Sequence, residues 1–337
     1  MVARASLILL IVLFVLGGTH GQHNVVVPFF MEVHRQIQED ARCEGMNMTS
    51  IMMTATTSAT FEFTEQQRHG IRLMEGVEDN TCLLSKLITV CLDEGCEKLC
   101  SEKRVAHCTR YTKYVKEGDR EESVATKSAP EFESGRHGES WRALTHIKWE
   151  LISTAFKLGA GSVLWMDADM LLLKNPYIDL ADRLTDSAIL HMTNYESPSK
   201  THENSSCSAP VHTGFMLLGM GVKNFKYRVI QLAEHMLEIN HKEDIMKGRK
   251  LEQEVLAQVM AEVDVTHCAL PKLHYTGACQ HAHDDGVRVQ DVVIYHANCG
   301  QGQLTRDQQL ALIRHMLGHK AQPDKHTDMN PFDPPPN

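Results

Sequence analysis

The chain has 337 residues, a net charge of −9 at neutral pH and a charged fraction of 23%. Its acidic and basic residues form no long blocks, and because no basic stripe is present to neutralise phosphates, a nucleic-acid-binding protein is not expected. The length suits one large α/β domain or two small ones.

The N-terminal residues have the pattern of a targeting segment. Arg4 is followed by an apolar run from Leu7 to Leu16, and small residues follow up to Gly21. This order is typical of a secretory signal peptide, and the apolar run is well short of the ~20 residues that span a bilayer. We therefore predict a cleaved signal peptide over residues 1–21 and no transmembrane span in the mature chain. A retained membrane anchor is the alternative.

Ten cysteines in a secretory chain predict disulfide bonds. A zinc site at Cys96, Cys100 and Cys108 is the alternative. Two glycosylation sequons begin at Asn47 and Asn204. Together these features predict a disulfide-bonded glycoprotein of the secretory pathway, either resident in the lumen of the Golgi or endoplasmic reticulum or secreted.

Strands and helices alternate along the chain after an N-terminal extension over residues 22–48. Runs rich in β-branched and apolar residues predict strands, and apolar residues at intervals of three and four predict helices. The clearest helix can be capped by Ser140 and ended by Gly159. The predicted strands are 49–57, 87–92, 105–111, 163–166, 188–192, 215–218 and 292–295; the predicted helices are 61–74, 94–101, 140–158, 222–238, 251–262 and 304–317. This alternation predicts an α/β sheet with helices on both faces.

Two carboxylates follow the predicted strand 163–166. Asp167 and Asp169 come directly after this apolar run, and apolar residues resume at Met170. Side chains two apart on a strand point the same way, so both acids are expected on one face. Two acids on one face repel unless a cation lies between them, which favours a hard divalent metal with a phosphate partner. A solvated pair of loop carboxylates is the alternative.

The order of motifs resembles the nucleotide-diphospho-sugar transferases, which have the GT-A fold. The matching pieces are the helix carrying Lys148, the Asp167-Ala168-Asp169 motif, the Asn175-Pro176 turn, the element His212-Thr213-Gly214 with its apolar strand, the pair Glu252-Gln253, and the C-terminal element from His296 to Gly300. The resemblance covers residues 49–302. It implies one large α/β domain with a Rossmann-like, mixed, mostly parallel sheet flanked by helices, followed by a C-terminal helix and Pro-rich tail over residues 303–337.

The resemblance also implies an activity and a set of site residues. It implies a metal-dependent glycosyltransferase that moves a sugar from a nucleotide-diphosphate donor, UDP-linked, to a glycan or glycoprotein acceptor, with Mn²⁺ or Mg²⁺ as cofactor. Asp169 and His296 would ligate the metal, Asp167 would contact both metal and ribose, and Lys148 would approach the diphosphate. The expected contacts to the donor come from Thr54, Thr56, Asp167, Gly214, Gln253 and Gly300.

Each of these assignments has a simpler alternative. Lys148 could lie on a solvated helix face, Thr54 and Thr56 could reflect strand propensity alone, and His296 is one of 20 histidines. The sequence also departs from the family, with His212 in the place of an Asn and Glu252 in the place of an Asp. Two other functions therefore stay open: a secreted, catalytically degenerate binding protein on the same fold, and an Asp-x-Asp phosphatase, although that class usually has Thr or Val where Met170 stands.

Overall fold

The structure is a computed structural model that describes residues 27–40, 50–75, 83–111, 139–181, 187–193, 207, 211–219, 225–242, 252–278, 288–297 and 304–321. The predicted signal peptide, both sequons, Gly300 and the Pro-rich end of the chain lie outside the described residues. None of the helices in these ranges is both long enough and apolar enough to cross a membrane.

The strands of the described residues form two sheets. They are β1 Ser50–Thr56, β2 Leu87–Cys91, β3 Cys108–Arg110, β4 Ser162–Met166, β5 Met170–Leu172, β6 Ile189–Thr193, β7 Val211–Leu218, β8 His267–Ala269, β9 Tyr275–Gly277 and β10 Ile294–His296. The larger sheet has the order β3-β2-β1-β4-β7-β6-β8. Its strands are parallel except that β7 runs antiparallel to both β4 and β6. The predicted mixed, mostly parallel sheet is confirmed.

Helices cover both faces of this sheet, as predicted. They are α1 Val27–Asp40, α2 Phe61–Glu75, α3 Leu83–Lys86, α4 Glu94–Glu102, α5 Glu139–Lys157, α6 Pro176–Ala181, α7 Phe225–Lys242, α8 Glu252–Glu262 and α9 Arg306–Ala321. On β1, Ile51 and Met53 pack with residues of α1, α5, α7 and α8. Met52 points to the other face and packs with α2, α6 and the smaller sheet. Each large apolar side chain buried in these layers contributes about 1.5–3 kcal/mol.

The smaller sheet, of order β5-β10-β9, was not predicted. Its strands have three residues each, which is too short to show a period of two. Strand β10 runs antiparallel to β5 and parallel to β9, and its register sets His296 opposite Met170. The sequence predicted a strand over 292–295, whereas the observed strand includes His296. The small sheet therefore carries a C-terminal residue back to the end of β4.

Strand β8 was not predicted either, and two other predicted strands differ from the observed ones by more than one residue. Strand β3 is shorter than the predicted 105–111, because His107 has φ of 57°, a left-handed backbone that interrupts extended chain. Strand β7 begins at Val211 rather than at residue 215, since Val211 still pairs with Thr193 of β6 across a shift in register. Polar residues at the start of β7 therefore belong to the sheet and lie near the end of β4.

Six cysteines of the described residues form disulfide bonds. The pairs are Cys91–Cys96, Cys100–Cys108 and Cys207–Cys268. The first two bonds tie α4 to β2 and β3. They also include all three cysteines of the alternative zinc site, so the structure favours the disulfides. The other four cysteines lie outside the described ranges.

Candidate active site

The two aspartates lie in a turn rather than on a strand. Strand β4 ends at Met166, and the backbone N–H of Met170 donates to the carbonyl oxygen of Asp167 at 3.1 Å. The backbone N–H of Asp167 donates to the carbonyl oxygen of Gly214 on β7 at 2.8 Å. The prediction that strand alternation sets both side chains on one face is therefore wrong in its geometry. The aspartates nevertheless lie together at the carboxyl end of β4, where α/β sheets bind ligands.

Asp169 lies against His296. The Nε2 atom of His296 is 3.3 Å from Oδ2 of Asp169, and the side chains are 9% and 18% exposed. The register of β10 on β5 produces this contact, and the N–H of Ala297 donates to the carbonyl oxygen of Asp169 at 3.0 Å. Burial alone would raise the pKa of Asp169, but His296, together with Lys148, holds this pKa below its usual range. The structure thus brings together two predicted metal ligands that are 127 residues apart.

Asp167 lies against a buried lysine. The Nζ atom of Lys148 is 3.5 Å from Oδ1 of Asp167 and 3.2 Å from Oε2 of Glu252, and it donates to the carbonyl oxygen of Thr213 at 3.1 Å. Lys148 is 3% exposed, so the alternative of a solvated helix face is wrong. Burial would lower its pKa, but Asp167 and Glu252 outweigh burial and raise it. Lys148 is therefore cationic and held by two carboxylates, and its expected contact with a diphosphate stays a prediction.

Glu252 completes this buried network. Its Oε1 atom accepts from Nε1 of Trp149 at 2.8 Å, and Oε2 accepts from Oγ1 of Thr213 at 3.0 Å. Burial raises the pKa of Glu252, and Lys148 opposes that shift. Nε1 of Trp165 donates to Oδ1 of Asp167 at 2.9 Å. Oδ1 of Asp167 is thus engaged by protein groups.

His212 and Gly214 stand beside the aspartates on β7. The ring of His212 lies edge-on to the ring of His296, with 5.0 Å between centroids. The backbone N–H of Gly214 donates to Nδ1 of His212 at 3.2 Å. A Cβ atom on Gly214 would lie 2.6 Å from Cε1 of His212 and 3.0 Å from Oδ2 of Asp167, so only glycine fits there. His212, a departure from the family pattern, is therefore part of the site.

The remaining predicted donor contacts vary in their setting. Thr56 ends β1, which runs parallel to β4, so it lies at the same edge of the sheet as the aspartates, and its hydroxyl contacts that of Thr60 at 2.9 Å. Thr54 is fully buried, and its Oγ1 has no hydrogen bond within the described residues. The same holds for the buried Oε1 of Gln253 at the start of α8. Gly300 lies outside the described ranges.

Several residues of the site were not found from sequence. Trp149, Trp165 and Thr213 contact the charged groups directly, and each is a neighbour, at one or two positions, of a residue that the sequence did identify. Gln67 on α2 donates to the carbonyl oxygen of Met170 at 3.1 Å, and thereby supports the turn. It precedes the turn by about a hundred residues, and no pattern in the sequence indicates it.

The donor set fits a divalent cation. Two carboxylates and one imidazole suit Mn²⁺ better than Mg²⁺. In the described part of the chain, however, the one trio of ligand atoms lying within 4.8 Å of one another is made of cysteine sulfurs. The ligand atoms of Asp167, Asp169 and His296 lie farther apart than those of the cysteines. Oδ1 of Asp167 is turned toward Lys148 and Trp165, which leaves Oδ2, on the side of Gly214, as its oxygen for a cation or ribose.

A separate open cavity of about 700 Å³ lies along α2, α4 and the start of α9. It is lined by charged side chains such as Glu62, Glu65, His69 and Lys103, and by none of the predicted site residues. Gln67 contacts the aspartate turn from this same helix α2, whose other side chains line the cavity. We therefore place the candidate active site at the aspartate turn and not in this cavity.

Solved structures with a similar fold include glycosyltransferase GlyE of Streptococcus pneumoniae TIGR4, with a TM-score of 0.45, 11% identity, and coverage of 81% of this chain and 60% of that chain. The galactosyltransferase LgtC, solved with donor and acceptor sugar analogues, has a TM-score of 0.44 and 13% identity, covering 82% of this chain and 97% of that one. Mouse xyloside xylosyltransferase 1 has a TM-score of 0.42 and 15% identity, covering 76% and 100%. The chain thus spans 60% of the length of GlyE. At these scores the likenesses carry no argument about donor or acceptor.

Sequence comparison identifies the family. No curated protein sequence matches this chain significantly. The sequence model of the nucleotide-diphospho-sugar transferases matches residues 82–310, which is more than half of the chain and includes both aspartates, Glu252 and His296. The match confirms the family expected from the motifs and leaves the phosphatase alternative without support. The chain belongs to the nucleotide-diphospho-sugar transferase family.

Proposed function

We propose that this chain is a metal-dependent glycosyltransferase that moves a sugar from a nucleoside-diphosphate donor to a glycan or glycoprotein acceptor, with a UDP-sugar as the first donor to test. The observation that carries the proposal is the contact of His296 with Asp169 at the carboxyl end of β4. An imidazole and two carboxylates gathered there, in a chain of this family, suit a cation that binds phosphate oxygens.

The charged residues have distinct roles in this proposal. A Mn²⁺ or Mg²⁺ ion would offset the charge that develops on the leaving diphosphate. Asp169 and His296 would hold it, and Oδ2 of Asp167 would face the ion and the ribose. Lys148 holds Oδ1 of Asp167. Its Nζ atom is buried and is also bound by Glu252 and by the carbonyl oxygen of Thr213. This arrangement orients Asp167 before a donor arrives.

The donor pocket would extend along the same edge of the sheet. Thr54 and Thr56 on β1 and Gly214 on β7 would border the nucleotide and the diphosphate. Gln253 would also contact the donor, and the expected contact of Gly300, outside the described residues, stays a prediction. The buried oxygens of Thr54 and Gln253 that lack a hydrogen bond within the described residues support this placement, since buried polar atoms normally have partners.

The compartment is proposed to be the lumen of the secretory pathway. Three disulfide bonds in the described residues support it, because such bonds persist in oxidising compartments. Expression in a secretory cell line should yield a chain that lacks its first ~21 residues and carries glycan on Asn47 or Asn204. An unglycosylated, full-length chain in the cytosol would contradict this assignment.

The test of the activity is release of sugar from a panel of nucleotide sugars with MnCl₂, followed by an array of glycan acceptors. Asp169→Ala should lower the rate by about 10³-fold or more while the fold stays intact, because the lost charge is needed for the metal. The matched control is Asp307→Ala, at an exposed aspartate in the first turn of α9. Activity in excess chelator would exclude the metal mechanism. Donor binding without turnover across the panel would point to the degenerate binding protein.

The metal site is tested separately by binding. His296→Ala should weaken Mn²⁺ and UDP together, as expected for a ligand that holds the ion against the diphosphate. The control His315→Ala changes a histidine of α9. Equal behaviour of the two variants in calorimetric titrations with MnCl₂ and with UDP would remove His296 from the metal site.

A further inference from the structure

His212 occupies a position where a second metal-binding histidine could be suspected. It is 8% exposed, its ring meets the ring of His296 edge-on, and it stands where the family pattern has an asparagine. Two imidazoles this close could both ligate one cation. The hydrogen bond inside β7 argues that they do not.

The backbone sets the tautomer of His212. Because the N–H of Gly214 donates to Nδ1 at 3.2 Å, Nδ1 carries the lone pair. In a neutral imidazole the proton is then on Nε2, which is a hydrogen-bond donor and cannot ligate a metal. His296 differs, because its Nε2 faces Oδ2 of Asp169 at 3.3 Å, so a cation bound by that carboxylate could take the place of the proton between them. His212 is thus arranged as a hydrogen-bond donor, whereas His296 is arranged as a metal ligand.

His212 and Asp167 border the same small space beside Gly214. A Cβ at Gly214 would meet Cε1 of His212 at 2.6 Å, Cε of Met170 at 2.7 Å and Oδ2 of Asp167 at 3.0 Å. The bare backbone of Gly214 therefore separates His212 from the oxygen of Asp167 that faces away from Lys148. Lys148 itself is bound by Asp167 and Glu252, so its charge is already compensated within the protein.

We propose that His212 binds an anionic oxygen of the donor's diphosphate through its Nε2–H, as a neutral hydrogen-bond donor beside the cation rather than as a further metal ligand. This inference rests on the proposed function. A hydrogen bond to a charged oxygen is stronger than one between neutral groups. His212 would also add no positive charge that repels the ion.

The experiment compares His212→Ala, His212→Gln and His212→Asn in the full chain, with MnCl₂ alone, UDP with MnCl₂, and uridine as probes. The alanine variant should weaken UDP by about 10- to 100-fold, the range for loss of one charge-assisted hydrogen bond. Its affinities for Mn²⁺ alone and for uridine should not change. The glutamine amide reaches the place of Nε2 and should restore part of the loss, whereas asparagine reaches only as far as Nδ1 and should not.

Two outcomes overturn the inference. Weakened binding of Mn²⁺ alone in the alanine and asparagine variants would make His212 a metal ligand, and unchanged UDP binding in all three variants would remove it from the diphosphate. A ¹⁵N NMR spectrum of the His212 ring gives an independent check, since a proton on Nδ1 would contradict the tautomer. If the wild-type chain itself binds no UDP with Mn²⁺, the proposed function fails and the inference fails with it, even with the Nε2–H tautomer.

Discussion

Two regions of the molecule bury titratable groups in opposite ways. At the aspartate turn, buried Lys148 lies between the carboxylates of Asp167, which is partly exposed, and of buried Glu252, so the opposite charges compensate one another. At the edge of the large sheet, His191 on β6 is fully buried beside His267 on β8. Nδ1–H of His191 donates to the carbonyl oxygen of Met192 at 2.6 Å, and Nε2 accepts from Nδ1–H of His267 at 3.0 Å.

The two regions differ in their sensitivity to a change of pH and to a substitution. Burial lowers the pKa of His191 to about 4; the carbonyl of Met192 opposes that shift and His267 adds to it. The histidine pair is therefore stable only while His191 is neutral. The Lys148 network is stable only while its members are all present, because removing one member leaves a buried charge uncompensated. The histidine pair is thus sensitive to pH and the Lys148 network to substitution.

The largest expected effect comes from Lys148→Met. Removing the cation leaves Glu252 and Asp167 beside each other without compensation, which should lower the free energy of unfolding by about 3–5 kcal/mol. Urea denaturation measures it. The double variant Lys148→Met with Glu252→Gln should recover part of the loss, because the two sites are coupled. A loss below about 1 kcal/mol would mean that the network behaves like a surface ion pair.

A smaller effect is expected from acid at the histidine pair. The pKa of His191 is about 4 in the folded chain and 6.5 for an ordinary histidine, so the unfolded state binds more protons between these values. The free energy of unfolding should therefore be highest above pH 6.5. It should fall as the pH is lowered to 4, by on the order of 3 kcal/mol in total. His191→Gln should flatten this slope in denaturation series between pH 7 and 5, while His235→Gln, at an exposed histidine, should not. A slope unchanged by His191→Gln would show that other groups cause it.

The smallest effect is expected from Glu62→Gln. Glu62 on α2 accepts from Arg306 and Arg314 on α9, the same pairing chemistry as at Lys148 but exposed to water. Loss of these pairs should cost less than about 1 kcal/mol, and added salt should erase the difference. The measurement is thermal unfolding at low and high ionic strength. A larger loss of stability that does not depend on salt would mean that the pairs of Glu62 with Arg306 and Arg314 behave like the buried Lys148 network.

Local patterns in the sequence predicted the parts of the fold that are themselves local. The apolar spacing of α5 and the β-branched run of β1 gave their positions to within one residue. The strands β5, β8 and β9 were missed, since three residues carry too little pattern. Asp167 and Asp169 were found because the apolar run before them is long enough to show a strand end.

The partners in the site could not be read from local patterns. Lys148 and Glu252 are 104 residues apart, and only packing of α5 against α8 and β7 joins them. His296 was singled out by the strand before it and by the element up to Gly300, and its role as a metal ligand followed from the family resemblance. Gln67 has no signal at all, because a glutamine on a helix face gives no indication of the carbonyl it will bind.

The pairing of β10 with β5 affects the order in which the candidate site is completed during synthesis of the chain. Asp169 and His296 are 127 residues apart, and translation at roughly 5–20 residues per second separates their synthesis by about 6–25 s. During that interval β1, β4 and β7 have all been made and their long-range pairing can begin, while Asp169 still lacks the imidazole. The proposed metal site is therefore among the last parts of the chain to be completed. A chain cut short before residue 296 carries both aspartates without the imidazole.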